Sequence, residues 1–242
     1  MMKKILIISA SALFILISGA FSQNLDNILK EHFKASGIDK MANIETQIIS
    51  GKNIVTAMGM EMPFTITTAR PNKIRVESSF QGSKIIQTFN GEKGWMLAPM
   101  MGNFEPTVLS ETELKMLKSQ GDMDGQLWDY KKKGNVVELL GEEVINGAPA
   151  YHLKITTAAG DIIHQYIDKA SHQITKVSTK QVIGGAETEI ENALSDYRMV
   201  KGISVAHSIA TRMNDQTITT IKIDQVKFNE KVDDSLFDKP SL

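Results

Sequence analysis

The chain has 242 residues, 27 basic and 28 acidic side chains, a formal net charge of −1 and no cysteine. The balanced charge, with no basic tract and no aromatic-studded basic strand, excludes the electrostatic footprint of a nucleic-acid-binding protein. Without cysteine there is neither a disulfide staple nor a zinc–thiolate site, so the fold must rest on core burial.

The first 22 residues read as an export address. Lys3 and Lys4 form a positive start, residues 5–17 an apolar run of 13, and Ala20-Phe21-Ser22 a small-x-small cleavage site before Gln23. Thirteen residues fall short of the roughly 20 that a helix needs to span a bilayer. The expectation is a cleaved signal peptide at 1–22 and one exported domain at 23–242. No cysteine follows the cleavage site, so a lipid anchor is not expected. Beyond the signal, 25 basic and 28 acidic groups leave a formal balance of −3.

Residues 24–36 place Leu25, Ile28, Leu29 and Phe33 on one helical face, with Asn24 as N-cap and Gly37 as the stop. From residue 44 the period changes to two, predicting strands at about 44–57, 62–70, 73–81, 84–90 and 93–100. The turns are written into the sequence at Pro71-Asn72, at Gln81-Gly82-Ser83 and from Asn90-Gly91 to Gly94. Ile74, Val76 and Phe80 alternate with Arg75 and Glu77, which makes Arg75 a wet-face charge. The strand that carries Trp95 and Leu97 runs into Pro99-Met100-Met101.

The strands then give way to a short helix. Ser110 and Glu113 form a capping box, Leu109 and Leu114 stand at the staple positions, and Leu114 and Leu117 continue the apolar side to about Gln120-Gly121. This helix is the candidate lid. After Gly125 the pattern predicts strands at 135–140, 150–157, 161–168, 173–183, 188–197, 203–212 and 217–228, separated by glycine- and asparagine-rich turns. In the last of these, Ile221 and Ile223 differ in parity from Val226 and Phe228, which predicts a bulge near Asp224-Gln225. The expected architecture is mainly β: a single curled antiparallel sheet, an incomplete β-barrel of about a dozen strands, with short helices forming a lid over an apolar cavity.

No nucleophile elbow, zinc-protease helix or phosphate loop is present, and the chain is not expected to be an enzyme or to hold a cofactor or metal. His152 and His164 lie on successive strands, but a metal would need a third ligand such as Asp161 or Asp168; solvated strand polarity explains them as well. Adjacent acidic pairs such as Glu142-Glu143 and Asp233-Asp234 read as turn or tail charges. Methionine carries more information. Of 11 methionines beyond the signal, six form two groups: Met58, Met60, Met62 and Met96, Met100, Met101. Unbranched and polarisable, they suit either ordinary core packing or a flexible sleeve for acyl chains. Arg70, at a strand end before Pro71, is either an exposed arginine or a fork that reaches carbonyls of a lid.

Several short segments together resemble the periplasmic lipoprotein-carrier, or LolA-like, family. They are the opening signal and helix, Ala69-Arg70-Pro71-Asn72, and the run from Phe89-Asn90-Gly91 through Lys93-Gly94-Trp95 to Pro99. Downstream they are Tyr166-Ile167-Asp168-Lys169 with Ile174-Thr175-Lys176-Val177, and the closing Val226-Lys227-Phe228-Asn229 with Ser235-Leu236-Phe237-Asp238-Lys239-Pro240. The resemblance implies a soluble, monomeric periplasmic carrier that shields acyl chains of lipoproteins or lipids on their way to the outer membrane. Its implied partners are an inner-membrane releasing transporter and an outer-membrane acceptor. Met58, Met60, Met62, Phe64, Trp95, Leu97, Met100 and Met101 would line the cavity, Leu114 and Leu117 would close it, and Arg70 would latch it. The alternative in the same fold is a lipid- or lipoprotein-sensing envelope adaptor that regulates a partner protein. The chain departs from the simplest carriers by extra strands around 134–157.

Overall fold

Helix α1 opens the fold at Ser11–Ser36, and its last three to four turns carry the apolar stripe expected for 24–36. The structure, a computed structural model, describes residues 11–241, so the expected signal lies in part outside the described residues. Gly37 ends α1 with φ +66°, and a Cβ there would stand 2.2 Å from the Gly202 carbonyl oxygen; only glycine fits. A 3₁₀ turn at Ile38–Asn43 leads into the strands.

Six strands follow: β1 Thr46–Val55, β2 Met60–Ala69, β3 Lys73–Phe80, β4 Ser83–Phe89, β5 Gly94–Ala98 and β6 Asn103–Val108. Helix α2, Glu111–Gln120, and the segment 121–135 then carry the chain to β7 Val136–Ile145. The return comprises β8 Ala148–Thr156, β9 Ile162–Asp168, β10 Ile174–Ile183, β11 Ala186–Val200, β12 Ile203–Met213 and β13 Gln216–Phe228. The expected strands are present. The addition is β6, whose Pro106 interrupts the strand pattern; at the edge of the sheet a missing amide costs little.

All 13 strands form one antiparallel sheet in the order β6-β5-β4-β3-β2-β1-β13-β12-β11-β10-β9-β8-β7. Every neighbouring pair is consecutive in sequence except β1 with β13, which joins the two halves at the centre (Gln47 opposite Phe228). The edges β6 and β7 do not pair, so the sheet curls without closing into a barrel. The bulge expected near Asp224-Gln225 is present: Ser50 faces Gln225 and Gly51 faces Ile223, leaving Asp224 as the extra residue. Gly51 is required at that crowded step, because a Cβ would lie 2.1 Å from the Lys222 carbonyl oxygen.

Three apolar clusters fill the inner side of the curl. In one, Leu25, Ile28 and Leu29 of α1 pack on Leu153, Ile155 and Ile167 together with Leu127. In the middle, Met41 and Ile44 cover Ile203, Ile223, Val226 and Phe228, with Met123 alongside. In the third, Leu117 of α2 covers Ile74 and Phe89. Residues 111–130 therefore cross the inner face from one half of the sheet to the other, giving Leu117, Met123 and Leu127 to successive clusters. The part of it after α2, continued to residue 135, is a strap across the curl.

Candidate functional site

The inner face can be followed strand by strand from the register. Phe64 faces the helices, sits opposite Gly51 of β1, and thereby fixes the parity of its neighbours. One row of Cα partners runs Met62, Asn53, Ile221, Ile209 and Leu194, across β2, β1, β13, β12 and β11. The next row outward runs Met60, Val55, Thr219, Thr211 and Asn192. These residues are half-buried, in contrast to the dry clusters beside them. The uncovered end of the inner face is thus an apolar surface with a few short polar groups. One of these is conspicuous in its environment: Asn53 Oδ1 is buried between Met62 and Ile221 and meets no donor.

The expected cavity residues divide three ways. Met60, Met62 and Phe64 share the inner face. Met58, Met100 and Met101 lie in 3₁₀ turns at Thr56–Met58 and Pro99–Met101, with Met58 72% and Met101 65% exposed. Because all pairings are antiparallel, the turns after β1 and β5 share one end of the sheet, and these methionines stand on the rim of the uncovered surface. The parity expected for Met58 fails because the 3₁₀ turn intervenes.

Trp95 and Leu97 require a correction. They lie opposite Thr88 and Ile86, whereas Met96 lies opposite Gln87 and packs toward α2. Trp95 and Leu97 therefore face outward. That outer face is dry because the C-terminal tail crosses it: Thr88 Oγ1 donates to the Asp238 carbonyl at 3.1 Å, and Arg75 Nη1 donates to the Leu236 carbonyl at 3.0 Å. Arg75 is accordingly a tail anchor, bonded also to Glu77, and not a free wet-face charge.

The lid residues have defined partners. The capping box of α2 forms as expected, with Glu113 Oε2 accepting from the Ser110 amide at 2.8 Å. Hydrogen bonds from Ser110 hold the Glu113 carboxyl below its ordinary pKa. Leu117 is buried and Leu114 half-buried over β3 and β4. Arg70, at the opposite end of β2 from the methionine rim, uses its whole fork. Nε donates to the Ile44 carbonyl at 2.8 Å and Nη2 to the Met41 carbonyl at 2.8 Å. Nη1 and Nη2 grip Asp124 at 2.9 and 2.6 Å. A single guanidinium thus ties a strand end to the 3₁₀ turn and to the strap. That hydrogen bonding holds the Asp124 carboxyl below the usual carboxylate range and raises Arg70, burial opposing both shifts. Asp124 was not foreseen. Its local sequence, Asp122-Met123-Asp124-Gly125, reads only as a turn.

On the outer face His152 and His164 meet across the β8–β9 pairing, Nε2 to Nδ1 at 2.7 Å, and His152 Nδ1 meets Glu143 at 2.7 Å. Burial and His152 lower the pKa of His164. The expected third groups are elsewhere: Asp161 pairs with Lys115, and Asp168 accepts from Ser171. Among the described residues, no group of three or more His, Cys, Asp or Glu side chains is placed to hold a metal ion. No helix among them is long and apolar enough to cross a membrane. A separate concavity of about 830 Å³ lies between α1 and the strap.

No protein-family model matches the sequence, and no curated protein does. Solved structures do match. A LolA superfamily protein from Nitrosomonas europaea superposes with a TM-score of 0.58 at 12% identity, covering 88% of this chain and 97% of that one. A DUF1329 family protein from Desulfovibrio piger gives 0.59 at 13%, covering 86% and 96%. A domain described as an outer membrane lipoprotein-sorting protein, from Vibrio parahaemolyticus, gives 0.56 at 15%, covering 80% and 89%. The fold is LolA-like.

Proposed function

We propose that this protein is an exported carrier that shields acyl chains of a lipoprotein or lipid while they cross an aqueous gap toward the outer membrane. The observation that carries this reading is the uncovered inner face: a mainly apolar row led by Met62 and a mixed row led by Met60, half-buried beside dry clusters and bounded by a methionine rim. Flexible, polarisable side chains accept varied acyl shapes without demanding hydrogen bonds. Burying a myristoyl-length chain, at about 0.8 kcal/mol per CH₂, is worth on the order of 10 kcal/mol, so a soluble shield can compete with a bilayer.

The Arg70–Asp124 fork then holds the strap on the covered end of the inner face, at the opposite end of β2 from that surface. Met58, Met100 and Met101 on the rim meet the chain as it enters, and Leu114 and Leu117 keep α2 in place. The signal-like start supports a periplasmic location. The LolA-like fold, shared with a domain described as lipoprotein-sorting, supports acylated protein as cargo and a transporter and an acceptor as partners. The carrier works as a monomer, without cofactor or metal, and catalyses no reaction.

Gentle purification of the mature protein from its host, followed by native mass spectrometry, tests the reading. Bound lipid or acylated protein at one-to-one stoichiometry is the expected result. A stable complex with an unacylated envelope protein would favour a sensing adaptor instead. An empty protein that also refuses added acyl probes would end the carrier reading.

A further inference from the structure

The concavity between α1 and the strap is chemically unlike the inner face. Its floor is aromatic: Phe33 meets Trp128 edge-on with ring centroids 5.1 Å apart, and Tyr130 continues the surface. Its rim is cationic. Five lysines and three aspartates line it, on a chain whose formal net charge is −1. Lys132 is paired with Asp129, and Lys40 donates to the Gly202 carbonyl. Lys30, Lys34 and Lys131 have no carboxylate within ion-pair distance among the described residues, and all three are exposed.

Asp26, Lys30 and Lys34 follow one another at four-residue steps along one helix face, so Asp26 offsets part of the repulsion between the two lysines, and Asp39 lies on the same rim. Lys131 comes to the same groove from the strap and lies 5.5 Å from the Tyr130 ring centroid. Three unpaired ammonium groups around an aromatic floor are complementary to a molecule that is apolar along its length and anionic at one end. A volume of about 830 Å³ suits a small ligand and not a folded partner.

We propose that this groove binds a single-chain anionic amphiphile, a long-chain carboxylate, with the chain along Phe33, Trp128 and Tyr130 and the head among Lys30, Lys34 and Lys131. The site is separate from the inner face and does not depend on the carrier reading.

Trp128 is a built-in reporter, since Trp95 is the only other tryptophan. In the mature protein carrying Trp95→Phe, titration with dibrominated stearate should quench Trp128 saturably. The methyl ester of the same acid, which lacks the charge, should bind about tenfold less tightly, the order expected for a few partly exposed charge contacts. The triple change Lys30→Gln, Lys34→Gln, Lys131→Gln should weaken the acid by a similar factor and leave the ester unaffected. All three positions are exposed, and an unchanged thermal melt verifies folding. Met62→Lys on the inner face should leave Trp128 quenching unchanged. Equal quenching by acid and ester, indifference to the triple change, or loss of quenching on Met62→Lys instead would each overturn the proposal. The last result would do so while leaving the inner-face site intact.

Discussion

Arg70 makes four hydrogen bonds to three residues in two separate pieces of chain, a geometry suited to a guanidinium fork. Arg70→Leu should destabilise the protein by about 2–3 kcal/mol in urea unfolding, because two carbonyls and a carboxylate lose their donor together. Asp124→Asn should cost less, since the bonds to Ile44 and Met41 survive. The two variants should also differ with pH. Asp124 has a folded pKa below its ordinary 3.8, so its stabilising contribution is complete above that value and is lost as pH falls through the folded one. In Asp124→Asn that acid limb should be missing from a plot of unfolding free energy against pH. Asn53 presents the opposite case. Its buried, unpartnered Oδ1 costs about 1–3 kcal/mol, so Asn53→Val should raise the stability of the free protein. An unchanged or lowered urea midpoint would count against that account. Arg70's role was half legible, because an arginine before proline at a strand end has few uses; Asp124 was not, because a turn aspartate does not announce a partner 54 residues away.

Among the elements, α2 and the strap divide the work of covering the curl. Helix α2 is anchored twice, by its capping box and by Leu117 over Ile74 and Phe89. Leu117→Ala leaves a cavity in that cluster and should cost about 3 kcal/mol, whereas Ser110→Ala removes an exposed cap and should cost about 1 kcal/mol. Equal losses in urea unfolding would mean that α2 does not pack as described. The local signals of this helix lie within a few residues of one another, and the sequence carries them fully: cap, staple and apolar side. The outward turn of Trp95 and Leu97 was not legible. Alternation sets them opposite Met96, but it cannot say which face the helices cover. Large apolar side chains read as inward until the tail, more than 130 residues later, is seen to dry the other face.

For the whole molecule the decisive contact is β1 with β13. Nine of the strand hairpins could be read from turn residues because antiparallel neighbours in sequence are neighbours in space. The central pairing obeys no such rule, and it converts two meanders into one curled sheet with unpaired edges β6 and β7. Gly51 and the bulge at Asp224 accommodate that seam, and only the bulge's change of parity was visible beforehand. The seam also sets the inner rows, since Met62 reaches Ile221 only through Asn53. A photoreactive diazirine fatty acyl probe, cross-linked to the mature protein and mapped by peptide mass spectrometry, addresses this surface most directly. Label on the Met60–Met62 segment of β2 and the Ile221 segment of β13 is the predicted result. Label confined to α1 and the strap, label on the Trp95–Leu97 face, or no label at all would contradict an acyl site on the inner face.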